Sequence, residues 1–290
     1  MKNNLSIKKS WKIGVSEYQK LISDSRSVLV LIILIVGYQF ITIPLLDNAE
    51  LMKIPINCLE PYIAMMNSNF MILLVPIVFL VLMSDFPRID GNTIFVLQRV
   101  GRDNWLLGQL IYFFLAIVSY LCVILCGMCI PVLGEGGFSW TWSAVVLDFS
   151  RIFPELAQNS GSVSIPPEIY YHMSPLYAVI MGSVLLLLYL LLLMLILLVV
   201  SVAGKKKIGI LLDLVIIAMG MGLCATSSEY RFVLPMAHSL LGVHYTRYFR
   251  EIVCSVTSSL TYFGVVIGGL LIIAIALNSK RNFLNENEVD

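Results

Sequence analysis

Val184-Leu-Leu-Leu-Leu-Tyr-Leu-Leu-Leu-Leu-Met-Leu-Ile-Leu-Leu-Val-Val-Ser-Val202 is interrupted only by Tyr189 and Ser201. A run of this length and character can cross the hydrocarbon core as a helix, in which every backbone polar group pairs within the segment. A membrane β-strand would alternate apolar and polar side chains with a period of two, and this stretch does not. The same character recurs on both sides of it. Of the 290 residues, 59% are hydrophobic and 13% charged, whereas a soluble domain carries about 25% charged residues. Runs that could span a membrane fall at about 28–46, 63–83, 106–130, 176–202, 208–223 and 258–277. The expected fold is an all-α integral membrane protein with six transmembrane helices. The run at 208–223 is short, and Asn67 and Asn69 weaken the one at 63–83, which places them near its outer end.

Lysine and arginine set the orientation, because short cytoplasmic loops retain them. Lys2, Lys8, Lys9, Lys12, Lys20 and Arg26 precede the first run, and Arg88, Arg99 and Arg102 lie between the second and third. Lys205, Lys206 and Lys207 separate the fourth and fifth, and Lys280 and Arg281 follow the sixth. The other side receives Lys53, Arg151, Arg231, Arg247 and Arg250. Both termini are therefore expected in the cytoplasm of a cell bounded by a bacterial-type plasma membrane. Residues 1–27 lack the small-residue cleavage signature of a signal peptide. Trp11, Val15, Tyr18 and Ile22 recur at helical spacing among Lys12, Gln19, Lys20 and Ser23. That pattern predicts an amphipathic elbow lying on the membrane surface and turning at Ser25-Arg26-Ser27 into the first span. A loose basic tail is the plainer alternative. Residues 28–277 read as one membrane domain and 278–290 as a cytoplasmic tail.

The long outer excursions are 131–174 and 224–257. In the first, Trp142, Val145, Val146, Phe149, Ile152, Phe153 and Leu156 approximate one helix face, and Pro154 marks a break. In the second, Phe232-Val-Leu-Pro235 and Leu240-Leu-Gly-Val243 read as a partly inserted hairpin or as helices over the outer opening. His172, His238 and His244 all fall on this side. Without companion carboxylates or thiolates, they read as interfacial hydrogen-bonding residues rather than as a metal or pH-sensing set. Cys122, Cys126 and Cys129 share one face of the third span and are expected to pack against another helix. A disulfide among Cys58, Cys224 and Cys254 is open.

The sequence contains no G-x-x-x-x-G-K-[ST] phosphate loop, H-E-x-x-H metal site or G-x-S-x-G nucleophile elbow. No catalysis, bound cofactor, bound metal or nucleic-acid partner is expected of this chain itself. Inside the spans, the clearest ionisable residue is Asp213, and an intramembrane charge marks a functional site by default. Asp213 follows Lys207 by less than two turns, so pairing near the cytoplasmic surface competes with an ion-coupling role. With Gln39, Gln109 and Tyr189 it makes the candidate intramembrane polar site. Tyr38, Thr42, Ser119, Tyr120 and Ser183 are further polar positions, each equally suited to joining helices.

Between the second and third runs lies Asp85-Phe-Pro-Arg-Ile-Asp-Gly-Asn-Thr-Ile-Phe-Val-Leu-Gln-Arg-Val-Gly-Arg-Asp-Asn-Trp105. Segment 84–105 is too charged for lipid. Pro87 and Gly91 disfavour an uninterrupted helix, and Thr93–Gln98 predicts a short one. Ile94, Phe95 and Leu97 offer a docking surface flanked by Arg99 and Arg102. Gly101 permits a tight change of direction, and Asp103 or Asn104 can cap a helix starting near Trp105. A simple connecting loop is the bland reading.

With these residues the chain resembles the ABC-2 type family of ATP-binding-cassette transporter membrane subunits. The resemblance extends to the amphipathic start, the six spans and the inward termini. The matching positions are Asp85, Gly91-Asn92-Thr93, Arg99, Gly101, Arg102 and Trp105-Leu-Leu-Gly108; the inserted Asn92 departs from a simpler Gly-Thr pattern. The resemblance implies a permease driven by separate nucleotide-binding ATPase subunits, which hold the ATP and Mg. These would dock on Ile94–Arg102 and touch Gly204, Lys205, Lys206 and Lys207. It also implies a second membrane subunit, identical or different, and export of a peptide, lipid or other amphipathic cargo. An ion-gradient-driven secondary transporter and a non-transporting membrane scaffold or sensor are the competing readings.

Overall fold

The computed structural model describes residues 5–88, 91–159, 165–246 and 251–280. Among these, all regular elements are helical, and extended pairing is limited to isolated bridges at Asn57–Gly137 and Tyr245–Ile252. The chain opens with α1 (Ile7–Ile22). Asp24 then caps a 3-10 turn by accepting from the Arg26 N–H, 3.0 Å. This turn starts the first long helix, α2 (Ser25–Met52), which widens to a π-helical turn at Tyr38–Thr42.

Among the described residues, five helices are long and apolar enough to cross a membrane: α2, α6 (Arg102–Cys129, extended by a 3-10 turn to Val132), α10 (Pro175–Val202), α11 (Lys206–Ala225) and α13 (Val256–Lys280). The run expected to be a sixth straight span is instead two helices, α3 (Glu60–Asn67) and α4 (Asn69–Leu82), bent by 84°. Asn67 shows why. Its Nδ2 donates to the Ile63 carbonyl at 2.9 Å, and its Oδ1 accepts from the Gly242 N–H at 3.1 Å. The side chain thus competes with the helical ladder, and Ser68 follows in extended conformation. Six spans result only if this bent pair counts as one.

The centre of the bundle is α10, the stretch that decided the fold class. It is apolar all round and almost wholly buried from Leu185 to Leu198, as a helix without a polar face must be when neighbours surround it. It packs against α6, α11 and α13. Those outer helices keep large apolar side chains exposed, among them Leu211, Met219, Val265 and Ile272, in the manner of helices with one face toward lipid. The expected amphipathic helix forms as α1, and it meets the bundle through a face other than its Trp11 and Ile22 stripe. Trp11 and Ile22 are exposed, whereas Ser10, Gly14 and Leu21 are buried. A Cβ on Gly14 would meet Ile111 Cγ2 at 2.7 Å, and one on Gly108 would meet Ile13 Cγ2 at 2.8 Å. Small residues on both partners let α1 lie directly on the start of α6.

On the opposite side, short helices cover the bundle. These are α7 (Ala144–Ile152), α8 (Pro154–Asn159), α9 (Pro167–Tyr170) and α12 (Pro235–Ser239), the last flanked by 3-10 turns at Glu229–Val233 and Leu241–His244. Pro154 does mark a break, since it opens α8. Val145 and Phe149 are buried, but Ile152 and Leu156 are exposed, so the apolar stripe is only half used for packing. Glu60 and Asn57, which carried no signal in the sequence, tie the cover together. Glu60 accepts from Ser143 N–H and Oγ–H, each at 2.7 Å, and Asn57 Nδ2 donates to the Ser139 carbonyl at 2.8 Å. One cysteine expectation is corrected. Cys122 and Cys126 are exposed on α6 rather than packed against a helix, and Cys58, Cys224 and Cys254 are free thiols.

Candidate functional site

The structure gathers basic residues from four separate parts of the sequence at one end of the bundle. Asp85 is the hub. Its carboxylate meets Arg26 Nη1 at 2.9 Å and Arg88 Nη2 at 3.8 Å, and Arg88 also reaches Asp24 at 3.2 Å. Arg26 Nη1 further donates to Ser84 Oγ at 2.7 Å. Partial burial pushes the Asp85 carboxyl up. The hydrogen bond and charge of Arg26, together with the charges of Lys206 and Arg88, outweigh this and hold it below its ordinary value. Beneath these charges, Phe86 is fully buried against the rings of Tyr112 and Phe113, with centroids 5.7 and 5.6 Å away. The start of segment 84–105 is therefore anchored by both charge and packing.

Next comes α5 (Gly91–Val100), longer than the six-residue helix expected. The side chains of Gly91, Asn92, Thr93 and Ile94 lie outside the described residues, so Thr93 and Ile94 are placed on this helix by backbone alone. Helical spacing sorts the rest. Phe95, Gln98 and Arg99 point outward, and Phe95 is 70% exposed. Leu97 is buried and, with the half-buried Val96 and Val100, holds the helix down. Leu97 thus leaves the expected docking surface: it lies too far round the helix from Phe95 to share its face.

Gly101 ends α5 with φ 91° and ψ 153°, a conformation nearly confined to glycine. The next helix, α6, begins at once with Arg102, three residues before the expected start, so Asp103 and Asn104 do not cap it. Asn104 is a crosslink instead. Its Oδ1 accepts from the Ser6 N–H at 2.6 Å and from Ser10 Oγ at 3.3 Å, and its Nδ2 donates to the Val100 carbonyl at 2.8 Å. One side chain joins the elbow, the end of α5 and the start of α6. Arg102 Nη1 donates to the Ser279 carbonyl at 3.2 Å, which adds the end of α13. Trp105 is buried just below.

Between α1, α5 and α6 lies a recess of about 610 Å³. Lys9, Lys12, Lys20, Arg88 and Arg99 line it, with Glu17 as the acid among its described lining residues and Gln109 at its floor. The second basic turn, Gly204 to Lys207, belongs to the same end. Gly204 has φ 82°, and the Lys205 N–H returns to the Val200 carbonyl at 3.1 Å, closing α10 before Lys206 opens α11.

The candidate intramembrane residues do not form one group. Gln39 is exposed on the π-helical turn of α2. Gln109 is buried at the basic end, its Oε1 without a hydrogen-bond partner among the described residues. Tyr189 on α10 and Asp213 on α11 are fully buried on helices that pack together, and neither the Tyr189 hydroxyl nor either Asp213 oxygen has a hydrogen-bond partner among the described residues. Asp213 therefore does not pair with Lys207 near the surface, as the plainer reading expected. Of the other polar positions, Ser183 bonds Tyr62 at 2.9 Å and Tyr120 donates to the Val75 carbonyl at 2.8 Å, both links between helices. Comparison with protein-family models, with curated proteins and with solved structures finds no match for this chain.

Proposed function

We propose that this chain is the membrane-spanning permease subunit of an ATP-driven exporter, acted on at α5 by a separate nucleotide-binding ATPase. The observation that carries this reading is the mounting of α5. Its outward face of Phe95 and Gln98 is exposed, with Arg99 at the edge it shares with the basic recess. Its C-terminal end is joined to α6 at Gly101 and through Asn104 to the Val100 carbonyl, Arg102 continues from there to α13, and the segment leading toward it is held to α2 at Asp85. A push on such a helix moves spans rather than bending a loop. The gathered lysines and arginines support placing this end in the cytoplasm, with both termini on that side of a plasma membrane. The ATPase holds ATP and Mg, and its two states supply the differential contact needed to bias inward- and outward-facing arrangements. A second membrane subunit completes the route. An amphipathic cargo, a peptide or lipid among the classes considered, suits the apolar groove of about 400 Å³ lined by Trp11, Phe114, Leu191 and Leu271.

Purification in mild detergent with partners retained, followed by partner identification and ATPase assay, tests this. Recovery of the chain with a nucleotide-binding protein, lost in Phe95→Asp while the fold persists, is the expected result. A second reading has one specific observation in its favour. A fully buried, unpartnered Asp213 beside Tyr189 is what an ion-coupled transporter would carry in its bundle. Cargo movement driven by an imposed proton or sodium gradient without ATP, and abolished by Asp213→Asn, would select that reading.

A further inference from the structure

Four hydrogen-bond contacts run in line through the outer cover. His238 Nε2 meets the Phe232 carbonyl at 2.8 Å, and its Nδ1 meets Ser259 Oγ at 2.8 Å. The same Ser259 oxygen meets His244 Nε2 at 2.8 Å, and His244 Nδ1 meets the Leu240 carbonyl at 2.7 Å. Both imidazoles and the serine are buried. Carbonyls only accept, so His238 must carry its proton on Nε2 and His244 on Nδ1. The two ring nitrogens that face Ser259 are then both acceptors. The hydroxyl has one proton and can satisfy only one of them. Two neutral rings and one hydroxyl supply three protons for four contacts.

We propose that His238, Ser259 and His244 form a binding site for a single proton. With one ring cationic, that ring donates to Ser259 Oγ, and the hydroxyl donates to the other ring. All four contacts are made; a second proton would turn the hydroxyl's own proton away from its acceptor and set two cations on either side of one oxygen. Because His238 lies on α12, His244 on the following turn and Ser259 on α13, proton uptake pins both legs of the outer segment to the last spanning helix at once. Burial pulls both rings below their ordinary values, although the bonds to the Phe232 and Leu240 carbonyls raise them, and the charge of His238 lowers His244 further. That mutual repulsion limits the site to one proton.

The surrounding titratable and charged groups leave this logic intact. The turn before α12 brings Glu229 and Arg231, and the Arg231 charge lowers His244. From α13 comes Tyr262, stacked on His238 at 4.0 Å, and from the preceding loop Glu251 and Cys254, the latter with Sγ 3.8 Å from Ser259 Oγ. The helices α9, α10 and α11 contribute Glu168, Tyr177 and Cys224. None of the ion pairs among the described residues involves either ring.

The chain has three histidines, so ¹⁵N-histidine NMR of the purified full-length protein can follow each. His172, stacked on Tyr245 at 4.2 Å, is assigned by His172→Gln. Between about pH 8 and about pH 5, one imidazolium is expected to appear in the His238–His244 pair while the other ring stays neutral. In Ser259→Ala that coupling is lost and the rings titrate separately, and Ser259→Thr restores it. Two rings that stay neutral throughout, two independent imidazolium transitions in the unaltered protein, or a titration unchanged in Ser259→Ala would overturn the proposal. So would a shift of both rings on adding Zn²⁺ at neutral pH that protons do not reproduce, which would make this a metal site.

Discussion

Neither oxygen of Asp213 has a hydrogen-bond partner among the described residues, on a helix whose surroundings are apolar. Moving an unpaired polar group into such surroundings costs about 1–3 kcal/mol by mutational measures. Asp213→Leu is therefore expected to raise the melting temperature of the detergent-purified protein, with Asp213→Asn close to neutral; a fall with Leu would mean that the carboxylate is stabilising. Asp85 behaves oppositely, because three cations converge on it. Asp85→Asn should leave the bundle folded but loosen the start of segment 84–105, read as faster proteolysis at that segment. The sequence marked both acids and misjudged one environment. Proximity along the chain made Lys207 the natural partner of Asp213, but helical rotation buries Asp213 against α10 instead. Glu60 and Asn57 gave no signal, since a lone carboxylate or amide in a loop looks the same whether or not a distant backbone donor meets it.

The seating of α5 depends on its hinge. Gly101 adopts a backbone region that side chains enter only with strain of about 1–3 kcal/mol. Gly101→Ala should swing α5 away from its seat on Leu97, raising accessibility of the otherwise buried Leu97 position to cysteine labelling in Leu97→Cys. The elbow is equally specific. Gly108→Val would drive a methyl into Ile13 and the Ser10 carbonyl, with an overpacking cost of about 1–3 kcal/mol, and a lower melting temperature is the measurement. At this scale the sequence was legible where period and composition decide. The elbow, the long apolar helices and a short helix inside 84–105 all follow from spacing. What spacing did not reveal is which face packs. The Trp11 and Ile22 stripe reads as the membrane-surface side of α1, which leaves its protein-facing side open; the side bearing Ser10 and Gly14 approaches α6, because backbones come closest where side chains are smallest. The bend at Ser68 was hidden for a related reason. Asn67 weakens a helix only mildly by itself, and the Gly242 N–H that completes its competing bonds is distant in sequence.

For the whole molecule, the charge distribution is the main regularity. Arg26, Asp85, Arg88, Lys206 and Arg102 meet at one end, and the histidine pair lies in the cover at the other. The orientation this supports can be read by labelling intact cells with an impermeant thiol reagent in a cysteine-free background. Lys9→Cys and Lys207→Cys should be protected until the membrane is opened, and Glu135→Cys should label at once; the reverse pattern would invert the topology. The central claim, that this bundle is driven through α5, has a more direct test. The chain is purified in mild detergent as the unaltered protein and as Phe95→Asp with Arg99→Glu, and bound partner and ATPase activity are measured on both. A nucleotide-binding partner in stoichiometric amount with ATPase activity, absent from the double variant whose fold is intact, is the expected result. An assembly that moves cargo with no associated ATPase, or one whose ATPase remains bound to the double variant, would contradict it.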